Sequence, residues 1–286
     1  LEPDACAPDA ETAREIVRAF EAGRVAWLEQ ERLEDQSSDD DVEHPHCERV
    51  LDRCGELVGA PGGDFWGWFE AQRQMMVVMD SLNSSGVRVS YELFQDTPCR
   101  AIHLYDSYSG KFPHGAEPTA ENLSGAGGLC DAVPGLKADV GFAQDPDGDR
   151  LAIVDETGRY IGEEYTLALC AEAVLLGRER GGGAPVLVAN LSTSRMIDDV
   201  AARYGARVVR TAVGEANVVE AMKALRDQGE NVVLGGEGNG GVIWQEVVYV
   251  RDSLSSMALV LSLMARTGKS VSELVSQINS YSAGGA

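Results

Sequence analysis

Positive charge is scarce in this sequence. Lys and Arg total 24 against 46 Asp and Glu, so the 286 residues carry a formal charge of −22. Nucleic-acid backbones and anionic membranes both require clustered Lys and Arg, so neither is expected as a main partner. No run of 18 apolar residues exists, and the first residues lack the basic and then apolar pattern of a secretory signal. We therefore expect a cytoplasmic protein, and the missing initial Met indicates a fragment.

Cysteine and histidine are also sparse. Six cysteines without a CxxC pair are too dilute for a disulfide scaffold, so we expect mostly buried, reduced thiols. The one close histidine pair, His44 and His46, is separated by Pro45 and surrounded by acidic residues. This pattern favours an exposed turn over a metal site.

Apolar residues make up 44% of the chain, which is typical of a globular protein, and the length fits about two domains of roughly 100–200 residues each. The spacing of the apolar residues predicts a helix over 9–22, and an acidic linker runs from Glu29 to Glu43. A first set of alternating elements follows. It comprises helices at 47–58, 87–95 and from Thr119 to about Val133, and strands at 75–80, 99–105, 138–144 and 151–156.

A second alternating set begins near Ile161 and Gly162. Its predicted strands are 185–190, 206–211, 231–237 and 242–250, and its helices are 163–178, 195–204, 217–228 and 255–266, with a last helix opened by a Ser270–Glu273 capping box. Two runs of strand–helix units predict an α/β fold class, with two successive domains that have mixed, largely parallel sheets. The predicted divisions are 1–45 (a helix and the linker), 46–161, 162–280 and a tail at 281–286.

The sequence between the third and fourth predicted strands reads Asp-Pro-Asp-Gly-Asp-Arg, residues 145–150. Alternate residues of an extended segment point the same way, so Asp145, Asp147 and Asp149 can converge on one hard cation such as Mg²⁺. Ligands of open α/β sheets bind beyond the carboxyl ends of the strands, where this loop lies. A plain hydrophilic turn is the alternative, but three adjacent like charges disfavour it.

Two other chemistries for this loop are rejected. A calcium-binding EF-hand would need Gly at its sixth position, where Arg150 stands, and helices instead of strands on both sides. A phosphatase with an aspartate nucleophile would need a DxDx[TV] pattern, which this loop lacks.

A glycine-rich loop follows the predicted strand 231–237 and reads GGEGNGG over 235–241. Its glycines allow the backbone to approach a ligand closely. Glu237 and Asn239 are two residues apart, so both can face one side and bind vicinal hydroxyls. A tight turn between strands is the alternative. The segment Thr267–Ser270 looks like the end of a phosphate-binding P-loop, but the required earlier Gly is Leu263.

Together these motifs resemble the α-D-phosphohexomutases, the family of phosphomannomutase, phosphoglucomutase and phosphoglucosamine mutase. GFAQDPDGDRLAIVDE resembles the family's metal-binding loop and GGEGNGGVIW its sugar-specificity loop. RTAVGEANVVEAM, YVRDSL, FPHGAEPTAENL and VVMDSLNSSG resemble segments around them, in the family's order, over about residues 75 to 265. The resemblance implies the second and third of four family domains, preceded by a remnant of the first.

The family's phosphorylated serine loop and its phosphate-gripping loop of the fourth domain have no match in this sequence, and residues 47–73 match the family poorly. The resemblance implies that a phosphoserine exchanges phosphoryl groups with C1 and C6 of a hexose phosphate. It also implies that Asp145, Asp147 and Asp149 hold Mg²⁺ together with a phosphoserine oxygen.

The resemblance further implies that Arg150 is catalytic and adds positive charge at the reacting phosphoryl group. Glu237, Asn239 and Arg251 are implied to bind the sugar phosphate substrate. Three alternatives stay open: a phosphomannomutase or phosphoglucomutase, a phosphoglucosamine mutase, and a metal- and sugar-phosphate-binding fragment without catalysis. The sequence predicts neither which hexose is used nor an oligomeric state.

Overall fold

The computed structural model describes residues 10–22, 43–72, 74–95, 97–178 and 183–283. Within these ranges the helices are α1 (Ala10–Glu21), α2 (Glu43–Val58), α3 (Phe65–Gln72), α4 (Gly86–Leu93), α5 (Ala120–Leu123), α6 (Leu129–Leu136), α7 (Glu163–Gly177), α8 (Met196–Arg203), α9 (Glu215–Asp227), α10 (Ser253–Thr267) and α11 (Val271–Ala283). The strands are β1 (Met76–Asp80), β2 (Arg100–Leu104), β3 (Val140–Gln144), β4 (Leu151–Asp155), β5 (Pro185–Asn190), β6 (Arg207–Thr211), β7 (Asn231–Glu237) and β8 (Gly241–Ile243). The predicted acidic linker, apart from Glu43, lies outside the described residues.

The strands form two sheets with the same topology. The first has the order β2-β1-β3-β4 and the second β6-β5-β7-β8. In each sheet three strands are parallel and the last one is antiparallel. Every residue of β3, β4 and β5 is buried, as their short apolar runs predict. The predicted fold class, two α/β domains with mixed and largely parallel sheets, is therefore confirmed.

Helices α7 and α10 pack against each other and contact strands of both sheets. Ten consecutive residues of α7 and thirteen of α10 are buried, so neither helix has a polar face. No helix among the described residues is long and apolar enough to cross a bilayer. The described cysteines are unpaired and mostly buried, as expected, and they are Cys47, Cys54, Cys99, Cys130 and Cys170.

Three local predictions were wrong. The helix expected from Thr119 to Val133 is two helices, because Gly125 and Gly127 adopt φ values of 113° and 83°, which break a helix. The strand expected at 242–250 ends at Ile243, and its continuation turns back with Val247 N–H bonded to the Trp244 carbonyl.

The third wrong prediction is the turn at His44–His46, which is the first turn of α2. Proline is tolerated there because the first helical N–H groups have no partner within the helix. Helix α3 was not predicted, and α2, α9 and α10 begin two to four residues before their predicted starts, whereas the start of the last helix was predicted correctly. In the predicted capping box, the Ser270 amide donates to the Glu273 carboxylate at 2.9 Å and the Glu273 amide donates to Ser270 Oγ at 3.4 Å.

The start of α2 is fixed to the start of α10 by one ion pair. His46 Nε2 lies 3.1 Å from Asp252 Oδ2, and Asp252 also caps α10 by accepting from the amides of Leu254 and Ser255. The hydrogen bond to Asp252 raises the pKa of His46 above 6.5, in spite of opposing desolvation. Burial raises the pKa of Asp252, but the hydrogen bond from His46 and the capping bonds outweigh it, so the net pKa is lowered.

We expect His46→Ala to lose more stability at pH 6 than at pH 9. A raised histidine pKa contributes stability that is fully present below 6.5 and disappears as pH rises through the folded-state pKa. The side chain is about a third exposed, so the difference at pH 6 should be about 1 kcal/mol or less. Urea unfolding of both proteins at the two pH values measures it. A gap between them that stays constant with pH would contradict the assignment.

Candidate functional site

The aspartate-rich segment joins β3 to the antiparallel strand β4. It begins at the carboxyl end of β3, as predicted. Gly148 makes the turn possible, with a φ of 73° and an amide that donates to the Asp145 carbonyl at 3.1 Å. The turn therefore presents its side chains at the edge of the sheet where α/β proteins bind ligands. We call residues 145–150 the aspartate loop.

The three carboxylates of the aspartate loop converge. One oxygen from each of Asp145, Asp147 and Asp149 lies within 4.8 Å of the others. Asp145 is buried, Asp147 is exposed, and Asp149 Oδ1 is buried with no hydrogen-bond partner among the described residues. Burial and the neighbouring charges of Asp145 and Asp147 raise the pKa of Asp149 to about 7, although Arg251 opposes the shift. A divalent cation would relieve this repulsion and give the buried oxygen a partner, so the residues fit a metal.

Arg150 lies beside the carboxylates and is itself held in place. Its backbone N–H and Nε donate to Asp145 at 3.0 and 2.6 Å, and its two Nη atoms donate to Glu117 at 2.7 and 3.2 Å. Burial raises the pKa of Asp145, but these bonds from Arg150 outweigh it and lower the net value. The guanidinium is thus fixed with part of its surface open to solvent, as a positioned positive charge requires.

The glycine-rich loop lies at the carboxyl end of β7 in the second sheet. Glu237 is only 5% exposed and has three partners there. Its Oε1 accepts from Asn190 Nδ2 at 2.6 Å and from the Gly214 amide at 3.2 Å, and its Oε2 accepts from Arg251 Nη1 at 3.1 Å. An ionised carboxylate has about four acceptor positions, so one remains for a ligand hydroxyl.

Asn239 is half-buried, two residues further along the same loop. Its Oδ1 accepts from the Gly241 amide at 3.2 Å. A Cβ on the preceding Gly238 would lie 2.5 Å from the Glu164 carboxylate, so a larger residue there would require the Glu164 side chain to move. The loop therefore packs closely against the start of α7.

Arg251 joins the two loops. Its Nη2 forms an ion pair with Asp149 Oδ2, and its Nη1 bonds Glu237. Its backbone N–H and Nε both bond the Glu215 carboxylate at 3.1 Å. One guanidinium thus spans the aspartate loop of the first domain and the glycine-rich loop of the second. The structure brings the predicted metal, catalytic and substrate residues together at one site.

The backbones of the two loops are also bonded directly. The Leu151 amide donates to the Gly240 carbonyl at 3.1 Å, and Arg150 pairs with Gly241 as an isolated antiparallel bridge. Gly240 has a φ of 87°, and a Cβ on it would lie 2.7 Å from the Leu151 carbonyl oxygen. Only glycine permits this approach without displacing backbone.

Sequence reasoning missed three residues of the site. Asn190 ends β5 and orients Glu237, Glu117 holds Arg150, and Glu215 holds Arg251. The position of Asn190 was readable, since it is the polar residue that ends a buried strand of a parallel sheet. Glu117 and Glu215 lie 33 and 36 residues from their arginines, and no local pattern marks such pairs.

Comparison with known proteins identifies the family. Two family models match, described as phosphoglucomutase/phosphomannomutase alpha/beta/alpha domain II over residues 68–158 and domain III over 162–281. A phosphoglucomutase/phosphomannomutase of Thermococcus kodakarensis is 39% identical over 73% of this chain and 44% of its own length. A probable phosphoglucosamine mutase of Methanopyrus kandleri is 32% identical over 88% of this chain and 54% of its own.

A solved structure has the same fold. It is an N-acetylphosphoglucosamine mutase from Aspergillus fumigatus, in complex with GlcNAc-6P and magnesium, with 18% identity and a TM-score of 0.54. The alignment covers 82% of this chain and 49% of that one. The chain spans about half the length of the relatives it matches. On these matches and on the order of its two sheets, the chain belongs to the phosphoglucomutase/phosphomannomutase family and carries domains II and III of it.

Proposed function

We propose that this chain supplies the metal- and sugar-binding part of a phosphohexomutase, which moves a phosphoryl group between C1 and C6 of a hexose phosphate. The observation that carries the proposal is Arg251, which links Asp149 of the aspartate loop to Glu237 of the glycine-rich loop. A ligand that reached the aspartates with its phosphate would thereby have its hydroxyls near the second loop. Domains II and III of the family are the domains that contain these two loops here.

The aspartate loop would hold Mg²⁺ through Asp145, Asp147 and Asp149. When bound, the ion supplies positive charge that stabilises the phosphoryl group during transfer. Arg150 contributes a second positive charge whose direction is fixed by Asp145 and Glu117. Phosphoryl transfer depends mainly on positioning and electrostatics, so a rigidly held guanidinium is a sufficient contribution from this residue.

The glycine-rich loop would orient the sugar. Glu237 can accept a hydrogen bond from a sugar hydroxyl at its remaining acceptor position, and the Asn239 amide group can donate or accept one. Arg251 contributes indirectly, because its hydrogen bond fixes the direction of the Glu237 carboxylate. We place it in the substrate site as a positioning residue.

The sugar is the least determined part of the proposal. Both a phosphoglucomutase/phosphomannomutase and a probable phosphoglucosamine mutase are relatives, so the second activity stays the alternative. We propose a hexose phosphate as the partner, with neither nucleic acid nor membrane as a main partner at a net charge of −22. The predicted domain division at 161–162 and the cytoplasmic location also stay proposals.

The test compares this chain with the protein encoded by the complete open reading frame. We expect background turnover of glucose 1-phosphate and mannose 1-phosphate from the 286 residues alone, because they contain no serine loop of the family type. We expect Mg²⁺-dependent turnover from the complete protein. Absence of turnover on glucose, mannose and glucosamine phosphates by the complete protein would overturn the proposal and favour the binding fragment.

In the complete protein, Glu237→Gln should lower kcat/KM for the hexose phosphate by roughly ten- to a hundredfold, the effect of losing one charged hydrogen bond. The Mg²⁺ concentration for half activity should not change, because Glu237 is not a metal ligand in the proposal. The matched control is Glu220→Gln, an exposed carboxylate on α9. Sugar kinetics equal to those of the control would mean that the loop is only a turn.

A further inference from the structure

A cavity lies in the second domain, away from the aspartate loop and the glycine-rich loop. It has a volume of about 420 Å³ and is lined from three elements: α2, the last turns of α9, and the segment after β8. The neighbouring cavity, of about 330 Å³, is lined by the first residues of β7, Asn231 to Val233, whereas Glu237 of the site above ends that strand. The two sites are therefore at opposite ends of β7.

The larger cavity concentrates cations in a strongly acidic chain. Four basic residues line it against two acidic ones, namely Arg49, Arg53, Lys223 and Arg226 against Asp227 and Glu246. The local balance is thus +2, while the chain carries −22. An acidic protein repels small anions in general, so a local excess of arginine marks the place where one can bind.

Nearby carboxylates do not occupy all the N–H donors of these arginines. Arg49 donates from Nε and Nη2 to the backbone carbonyl of Glu246, at 3.3 and 3.2 Å. Arg226 lies 3.5 Å from the Glu246 carboxylate, and both side chains are more than 40% exposed. Arg53 pairs with Glu56, yet its Nε is buried and has no partner among the described residues. Each guanidinium keeps N–H groups from which a phosphate could accept hydrogen bonds.

A buried acceptor lies beside these donors. Gln245 lines both cavities and is 6% exposed. Its Nε2 donates to the Val232 carbonyl at 2.8 Å, which fixes the amide. Its Oε1 is then buried without a hydrogen-bond partner in the described part of the chain. An unsatisfied buried acceptor costs stability, so a ligand with an N–H or O–H group would be favoured there.

We propose that this cavity is a binding site for a small phosphorylated metabolite that also carries a hydroxyl or amine donor. Its phosphate contacts Arg49 and Arg226, and its donor contacts Gln245 Oε1. The site is separate from the aspartate loop and independent of the function proposed above. Its α2 wall lies outside residues 68–158 and 162–281, which the two family models match.

Calorimetry on the 286-residue protein, in low salt and with EDTA to keep metal from the aspartate loop, tests the proposal. The probes are pyrophosphate, which is an anion alone, and ADP, which adds ribose and base donors to the same diphosphate. Ribose 5-phosphate is a third probe. It carries sugar hydroxyls and no base, so it shows whether the hydrogen-bond donor comes from the sugar or from the base. We expect ADP to bind about tenfold more tightly than pyrophosphate, the effect of one added hydrogen bond.

The double variant Arg49→Ala/Arg226→Ala should weaken both diphosphates by roughly tenfold or more, since two charge-assisted contacts are lost. Both arginines are exposed, so folding should be unaffected. The variant Gln245→Met should lower ADP affinity to that of pyrophosphate. Arg159→Ala, an exposed arginine in the first domain, is the control for charge. No binding of any probe at millimolar concentration, or affinities unchanged in the double variant, would overturn the proposal.

Discussion

Replacing Asp147 by Asn should weaken Mg²⁺ binding to this protein by at least roughly tenfold, because the charge of the ligand set controls affinity at oxygen sites. Asp147 is the exposed member of the converging triplet, so its loss removes a ligand and leaves the fold intact. Binding to the unmodified chain should itself be weak, since three carboxylates leave several coordination positions to water. Calorimetric titration of both proteins with MgCl₂ measures the difference.

The control for this titration is Asp131→Asn, which removes the same charge from an exposed position at the start of α6. It should titrate as the unmodified protein does, because long-range attraction by an exposed charge is screened at moderate ionic strength. Equal heats from Asp147→Asn and from the unmodified protein would remove the aspartate loop as the metal site.

The second large effect is expected on stability. Arg251→Ala should lower the free energy of unfolding by about 3 kcal/mol, the usual cost of breaking a buried ion pair from one side. Buried Glu237 would lose its partner cation, and so would Asp149 and Glu215. Urea unfolding at pH 7 measures the loss, with Arg159→Ala as an exposed control that should change by less than about 0.5 kcal/mol.

A double variant separates this explanation from lost packing. Because the cost arises from the unpaired carboxylate, Glu237→Gln made in the Arg251→Ala background should recover part of the stability. Glu237→Gln alone should destabilise the protein, since it replaces an acceptor of the Asn190 and Arg251 hydrogen bonds. If the losses in the free energy of unfolding caused by the two substitutions simply added, Arg251 would act through packing and would not be the link between the loops.

The sequence was sufficient for the architecture because each strand is a short apolar run between breaks. Both four-stranded sheets, the aspartate loop after β3 and the glycine-rich loop after β7 lie where the pattern predicted them. The wrong predictions came from residue preferences that were applied without regard to the residue's position in a helix. Pro45 looked like a turn but lies at a helix start, where the missing N–H has no cost, and Gly125 broke a helix that its neighbours favoured.

The contacts that assemble the site were beyond sequence reasoning. Arg251 was assigned to the substrate from a resemblance, yet its partners in the structure are three carboxylates from two domains. Glu117 was not identified, because its role depends on a side chain 33 residues away, whereas Asn190 could have been identified from its position at the end of a buried strand. Such pairs follow from how α7 and α10 fix the two sheets, which no local periodicity encodes.

The backbone bond between Leu151 and Gly240 has a dynamic consequence. Both residues are buried, and separating the two loops would break this bond, at a net cost of about 1 kcal/mol. The bond therefore opposes hinge motion between the two domains. A ligand that contacted both loops would meet a spacing between the aspartates and the glycine-rich loop that this bond helps to fix.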